Sequence, residues 1–242
     1  MDYGYFEYLV YGFPLIRETF TNSVLPIEVI DLNGNLGIGT GFFAISQSSS
    51  PLRHTILAIA RHNVENMKSV EIIPSGEENL KIRSIFVPRN STVDTAIIVT
   101  EPKNQENSKP LLVGETNILD DVLCIGYPPV QGFDIFQVAE KATISAKSTV
   151  GQIVGKEKPY IEPDVEIILF NARIKGGSSG GPIIDKYGRV VGIVSRELLD
   201  SKEPMSDPKP DLLGYGIASP ARWIDEFFNN RESFKEISFT QA

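Results

Sequence analysis

The chain has 242 residues, enough for one large β domain or two small ones with a sizeable core. Its apolar share of 41%, charged share of 22% and net charge of −8 are those of an acidic globular protein, and argue against nucleic acid and anionic membrane surfaces as partners. The single cysteine, Cys124, excludes an intrachain disulfide and fits either a reducing, cytoplasmic setting, which is the expectation, or a fold that needs no staples. Two histidines and one cysteine make a weak ligand set, so neither metal nor cofactor is expected.

The first twenty residues are rich in aromatics: Tyr3, Tyr5, Phe6, Tyr8, Tyr11, Phe13 and Phe20. They lack the basic start and small-residue cleavage site of a signal peptide. No run of about 20 apolar residues occurs anywhere, so no transmembrane helix is expected. The aromatics either cover the first sheet or face another subunit, and packing within the chain is the favoured expectation.

Short strands follow. Segments 25–31 and 36–45 flank Asn33-Gly34, a pair suited to a tight hairpin. Residues 55–61 contain the apolar run Ile56-Leu57-Ala58-Ile59-Ala60, and further strands are expected at 69–73, 82–87 and 96–100. The polar stretch 101–109 reads as a connection between two halves. The second half offers strands at 121–125, 136–144, 166–170, 182–185, 189–195 and 214–218. Cys124 lies in the apolar run Val122-Leu123-Cys124-Ile125 and reads as a small buried hydrophobe. The one helix expected is near the end, with Ser219 as N-cap, Pro220 at its first position, and Trp223, Phe227 and Phe228 as its apolar stripe.

Three places carry possible chemistry. In Gly176-Gly177-Ser178-Ser179-Gly180-Gly181-Pro182, glycines crowd both sides of one serine. Such a setting lets a carbonyl reach the hydroxyl and lets backbone N–H groups converge, although Gly/Ser turns are also common in loops. A serine needs a base to take its proton. His62 closes the apolar strand at Ala58-Ile59-Ala60-Arg61-His62; read alone, it is more often a structural or surface residue. Asp94 opens Asp94-Thr95-Ala96-Ile97-Ile98 and, read alone, is a turn aspartate ahead of a strand.

Together, in the order His, Asp, Ser, these segments resemble the trypsin/chymotrypsin-like serine protease family. Gly39-Thr40-Gly41-Phe42-Phe43, Cys124-Ile125-Gly126-Tyr127-Pro128, Gly192-Ile193-Val194-Ser195 and Gly214-Tyr215-Gly216-Ile217-Ala218 extend the likeness over roughly 24–230. The resemblance implies an all-β fold of two six-stranded antiparallel β-barrels (chymotrypsin-like) with a C-terminal α-helix. Residues 1–23 would be an N-terminal extension, 24–108 the first barrel with His62 and Asp94, 109–218 the second with Ser179, and 219–242 the helix and tail. It makes His62, Asp94 and Ser179 the catalytic residues and the N–H groups of Gly177 and Ser179 the oxyanion hole. Arg173, Ile174, Ser195, Arg196, Glu197, Gly214 and Gly216 would bind substrate.

Two departures narrow the likeness. Ser178 stands where digestive-type enzymes carry an aspartate that pairs with a freed N-terminus, and the disulfides of secreted relatives are absent. Both features resemble the bacterial HtrA/Deg-like branch, here without the PDZ domain that usually follows. Arg61, in place of a small residue before the histidine, is expected either to pack outward or to perturb the site.

The expected function is serine endopeptidase through an acyl-enzyme, with protein or peptide as substrate. Segments 132–140, 155–163 and 198–212 are candidates for loops whose ordering by an activating partner or a homo-oligomer regulates the site. The alternative is a catalytically silent trypsin-like fold that serves as a protein- or peptide-binding module.

Overall fold

The structure is a computed structural model. It describes residues 5–46, 56–73, 80–101, 108–128, 145–158, 165–199 and 212–239. The chain opens with helix α1 (Tyr5–Phe20), broken at Gly12, where φ is 65° and ψ −155°. The first half then holds β1 (Val24–Asp31), β2 (Leu36–Ile45), β3 (Ile56–Ile59), β4 (Met67–Ile72), β5 (Ile82–Pro88) and β6 (Ala96–Thr100). The second half holds β7 (Leu111–Val113), β8 (Asp121–Gly126), β9 (Lys147–Glu157), β10 (Ile167–Phe170), β11 (Pro182–Asp185), β12 (Arg189–Leu199) and β13 (Leu212–Pro220). Helix α2 (Arg222–Asn229) and strand β14 (Phe234–Ile237) end the described chain.

The expected β architecture is present, with one difference in closure. Strands β8 to β13 without β7's short bridge form a closed six-stranded barrel, because β11 pairs with both β8 and β12. The first half runs β4-β1-β2-β3-β6-β5, but β14 rather than β4 lies on the free side of β5, in the register Phe234↔Pro88 to Ile237↔Ile85. Among the described residues that half does not close on itself, and one closed six-stranded barrel with additional strands stands where a pair was expected. Strand β7 joins the halves by pairing parallel with both β2 and β12.

Successive residues of one strand face two different cores. Leu57 and Ile59 of β3 point into the first sheet with Phe43, Val70, Ile85 and Ile98. Ala58 between them points the other way, with Phe42 and Ile97, into a cluster shared with Leu123, Ile125, Ile184 and Ile193 of the second half. A strand buried on both faces has no polar positions to alternate with, which is why its sequence is one unbroken apolar run. The second barrel has its own core, with Cys124, Ile153, Phe170, Ile183 and Val194. Cys124 is the buried small residue expected, and burial pushes its thiol up to about 12.

Two sequence expectations about helices are corrected. The aromatic N-terminus is helical, and Tyr8, Ile16 and Phe20 of α1 pack into the shared cluster while Leu9, Val10 and Tyr11 stay exposed. Packing within the chain thus accounts for only part of the segment. The terminal helix starts later than expected, because β13 continues through Ser219 and Pro220 to pair with Ile193 and Gly192. Ala221 therefore occupies the N-cap, with no side-chain cap bond, and Ser219 is a buried strand residue. The segment 155–163 begins as strand, since β9 runs to Glu157. Likewise β12 reaches Leu199, and 132–140, the expected strand 136–144 and 200–211 lie outside the described residues.

Candidate active site

The serine sits in the turn between β10 and β11. Two backbone positions there take conformations that suit glycine: Gly177 has φ 90° and Gly180 φ 86°. Partners from both halves hold this turn. Thr40 of β2 donates from its N–H to Ser179 O at 2.8 Å, and its hydroxyl donates to Gly177 O at 2.6 Å. The same hydroxyl accepts the Tyr127 N–H at 3.0 Å. From the second half, Gly180 N–H donates to Val194 O at 2.7 Å and Val194 N–H donates to Gly181 O at 2.9 Å.

His62 lies in the 3-10 turn Arg61–Asn63 that follows β3, and Asp94 lies two residues before β6. Because β3 and β6 are paired, with Ile59 opposite Ala96, the ends of the two strands bring histidine and aspartate together. Asp94 Oδ1 accepts the His62 backbone N–H at 3.0 Å, and Asp94 Oδ2 lies 2.8 Å from His62 Nδ1. A carboxylate only accepts, so Nδ1 carries the ring proton and Nε2 presents its lone pair. Nε2 is 2.7 Å from Ser179 Oγ, whose O–H therefore donates to it. Serine, imidazole and carboxylate form one directed chain, open to solvent at the ring, where His62 is about half exposed (49%).

Asp94 has a further partner that its sequence context does not reveal. Ser195 donates its hydroxyl to Asp94 Oδ2. Ser195 falls where the β12–β13 register slips between Val194 and Arg196, a bulge that turns its side chain toward the aspartate. Burial by itself raises the Asp94 pKa. The hydrogen bond from the His62 ring, the attraction of His62, and the donors from Ser195 and the His62 backbone outweigh it, leaving the carboxyl below its ordinary range.

Arg61 neither points outward nor touches the serine. It is only 4% exposed and clasps Glu65 with two bonds, Nε to Oε2 at 2.6 Å and Nη2 to Oε1 at 2.7 Å. Its Nη1 donates to the carbonyls of Pro88 and Asn90, tying the histidine turn to the chain that leads to Asp94. Arg61→Ala is expected to lower stability by about 2–3 kcal/mol, since it orphans buried carbonyls and one carboxylate. Arg61→Lys should recover only part of this, lacking the forked donors. Urea unfolding of the three proteins measures it.

The residues expected to contact substrate divide between two places. Ile174 is buried and lines, with the exposed Arg173, a mainly apolar cavity between β8, the start of β9 and the turn 173–178. None of Ser195, Arg196, Glu197, Gly214 or Gly216 borders that cavity. Arg196 and Glu197 lie opposite Ile217 and Gly216 in the β12–β13 ladder, and Gly214 is exposed with φ 74°. Under Gly216 lies the Phe170 ring, so close that a Cβ there would fall 2.3 Å from Phe170 Cζ. Among the described residues, no three His, Cys, Asp or Glu side chains gather as a metal site. No described helix is long and apolar enough to cross a membrane.

Residues 39–193, which carry His62, Asp94 and Ser179, match the trypsin-like peptidase domain. The chain belongs to this family. Among curated relatives of this peptidase domain, a serine protease HtrA-like of Staphylococcus haemolyticus is 24% identical over 225 residues, covering 92% of the chain and 32% of that protein. A serine protease Do-like HtrA of Bacillus subtilis is 27% identical over 166 residues, covering 66% of the chain and 32% of the relative. The chain thus spans about a third of the length of these relatives. Among solved structures, the active form of the Rv3671c protease from M. tuberculosis superposes with a TM-score of 0.63 at 20% identity, covering 93% of this chain and 86% of that one. An HtrA-type protease AlgW with tripeptide gives 0.62 at 16% identity, over 89% of this chain and 63% of its own. These superpositions speak for the fold.

Two residues that hold the site were not singled out for that role from sequence. Thr40 lies in a segment noted only for its family likeness, and Asn63 carries no local signal beyond following the histidine.

Proposed function

We propose that this trypsin-like peptidase domain is a serine endopeptidase of HtrA type, and that Ser179, His62 and Asp94 are its catalytic residues. The observation that carries this reading is the directed hydrogen-bond chain from Ser179 Oγ through His62 to Asp94. Ser179 Oγ attacks the carbonyl carbon of a peptide bond while its proton passes to Nε2. The carbonyl oxygen takes up the electron pair and is held by the N–H groups of Gly177 and Ser179. Collapse breaks the C–N bond, the imidazolium hands its proton to the leaving amine, and an ester to Ser179 remains. Water then attacks that ester, with His62 as base, and releases the acid.

Asp94 remains a carboxylate and stabilises the imidazolium; Ser195 in turn holds Asp94. Substrate backbone would extend the edge near Arg196, Glu197 and Gly214 as an added strand. The Phe170 ring beneath Gly216 supports a shallow primary pocket and hence small or apolar side chains before the cleaved bond. An unfolded polypeptide fits this description as substrate.

The test is labelling by a fluorophosphonate probe, which reacts with an activated serine. Wild type should label, and Ser179→Ala and His62→Ala should not. A folded wild type that stays unlabelled, with and without unfolded casein, would favour the silent binding module instead.

A further inference from the structure

We propose that Asn63 is a positioning residue for the nucleophile, whose side-chain amide decides where the Ser179 hydroxyl proton points. This rests on the serine hydrolase reading above. Asn63 follows His62 in the same turn and is 8% exposed. Its Nδ2 donates to Ser179 O at 3.0 Å and lies 3.3 Å from Ser179 Oγ. The first bond fixes the orientation of the amide, because a backbone carbonyl can only accept and must therefore face the NH₂ group.

The consequence for the hydroxyl follows from counting protons. An amide NH₂ only donates, so toward Asn63 the oxygen Oγ must accept. Its single proton is then left for His62 Nε2 on the other side, 2.7 Å away. Without Asn63, the hydroxyl is free to rotate its proton away from the base. The contact also gains strength during attack, since Oγ becomes more negative as its proton leaves, and bonds to charged acceptors are the stronger ones. Meanwhile Ser179 O is held by two donors, Asn63 and Thr40 N–H, which pins the backbone of the nucleophile.

A second observation comes from the facing strand. A Cβ built on Gly39 would meet Asn63 Nδ2 at 2.5 Å, Cγ at 2.9 Å and Oδ1 at 3.4 Å. Its three nearest neighbours are all atoms of this one amide. The backbone of Gly39 does not have a positive φ, so the nearest obstacle to a larger residue there is the Asn63 side chain. Strand β2 is cut back to a hydrogen atom where the amide lies.

The experiment measures fluorophosphonate labelling rates against pH, with thermal melts to check folding, for wild type and four variants. Asn63→Ala should label about three- to tenfold more slowly, the net worth of one hydrogen bond expressed as rate. Gly39→Ala, which displaces the amide, should slow labelling similarly. The Gly39→Ala/Asn63→Ala double variant should be no slower than Asn63→Ala alone, because contacting residues do not add. Asn63→Asp keeps the shape but sets a carboxylate against Oγ. The groups facing the His62 ring are Asp94 at Nδ1 and Ser179 at Nε2, and an added anion beside them favours the protonated imidazolium. The acid limb of labelling should then move to higher pH in Asn63→Asp and stay in place in Asn63→Ala.

An unlabelled wild type would sink the hydrolase reading itself. A labelled wild type with Asn63→Ala at the same rate, or with additive losses in the double variant, or with an unshifted limb in Asn63→Asp, would overturn the role of Asn63 alone.

Discussion

Asp94→Asn is expected to lower turnover of an unfolded substrate such as casein by about 10⁴-fold without unfolding the protein. Asp94 accepts at both oxygens: the His62 N–H on Oδ1, and His62 Nδ1 and the Ser195 hydroxyl on Oδ2. An asparagine can keep its oxygen on the backbone N–H. Its NH₂ then faces Nδ1, and two donors cannot share that contact. The ring shifts to the tautomer with its proton on Nε2, so Nε2 can no longer take the proton of Ser179. Steady-state hydrolysis and probe labelling should fall together, and a variant that keeps more than about a tenth of the rate contradicts the assignment of Asp94.

The same contacts give a pH dependence of stability. The folded pKa of Asp94 lies below its unfolded value, so the group stabilises the fold above that unfolded value, near 3.9, and its contribution fades as pH falls through the folded one. Asp94→Asn should therefore flatten the acid side of the unfolding curve.

The second large effect is on stability. Gly180→Ala should cost at least about 4 kcal/mol, enough to lose the native serine turn. A Cβ there would fall 2.0 Å from Thr40 O, 2.8 Å from Ile59 Cγ1 and 3.0 Å from Ala60 N, at a φ of 86°. Two of these three atoms are backbone of β2 and of the chain just past β3, so no rotamer change relieves the overlap. The positive φ adds roughly 1–2 kcal/mol for any residue with a Cβ. Gly176→Ala, four residues earlier, meets nothing within 4 Å and should stay within about 0.5 kcal/mol of wild type. Equal melting temperatures for the two variants would contradict the packing described at Gly180.

What could be read in advance followed from burial. Strands such as β3, β6 and β8 carry apolar runs because both faces are covered, and the Asn33-Gly34 turn punctuates its neighbours clearly. Strand β9 escaped notice because it is largely exposed, with Ile153 and Gly155 its only buried positions. Strand β14 is four residues long, with Lys235 and Glu236 facing solvent, and only its register with β5 makes it a strand. Helix α1 carries Gly12 and Pro14 within its span, two residues that argue against helix when read locally. Tyr8, Ile16 and Phe20 hold it by tertiary contact instead.

At the site, the glycine-flanked serine announced itself, and His62 and Asp94 became legible only through family likeness. Ser195 was picked out for the substrate strand, while its side chain is occupied by Asp94. That role depends on a bulge, and a bulge is a property of two paired strands. Arg61 posed a question that only its partners answer, since Glu65 lies one turn away but the carbonyls of Pro88 and Asn90 are far along the chain.

The pairing of β14 with β5 bears on how the molecule is made. Strand β5 ends at Pro88, yet its second neighbour starts at Phe234, and Phe234 packs with Phe227 and Phe86 in the cluster shared by both halves. On a ribosome, that edge of β5 therefore stays uncovered until synthesis has passed Ile237, long after β5 itself is complete. Pairings so distant in sequence close slowly. Until then the side of β5 that takes β14 is an open strand edge, which a nascent chain has to keep from other partners.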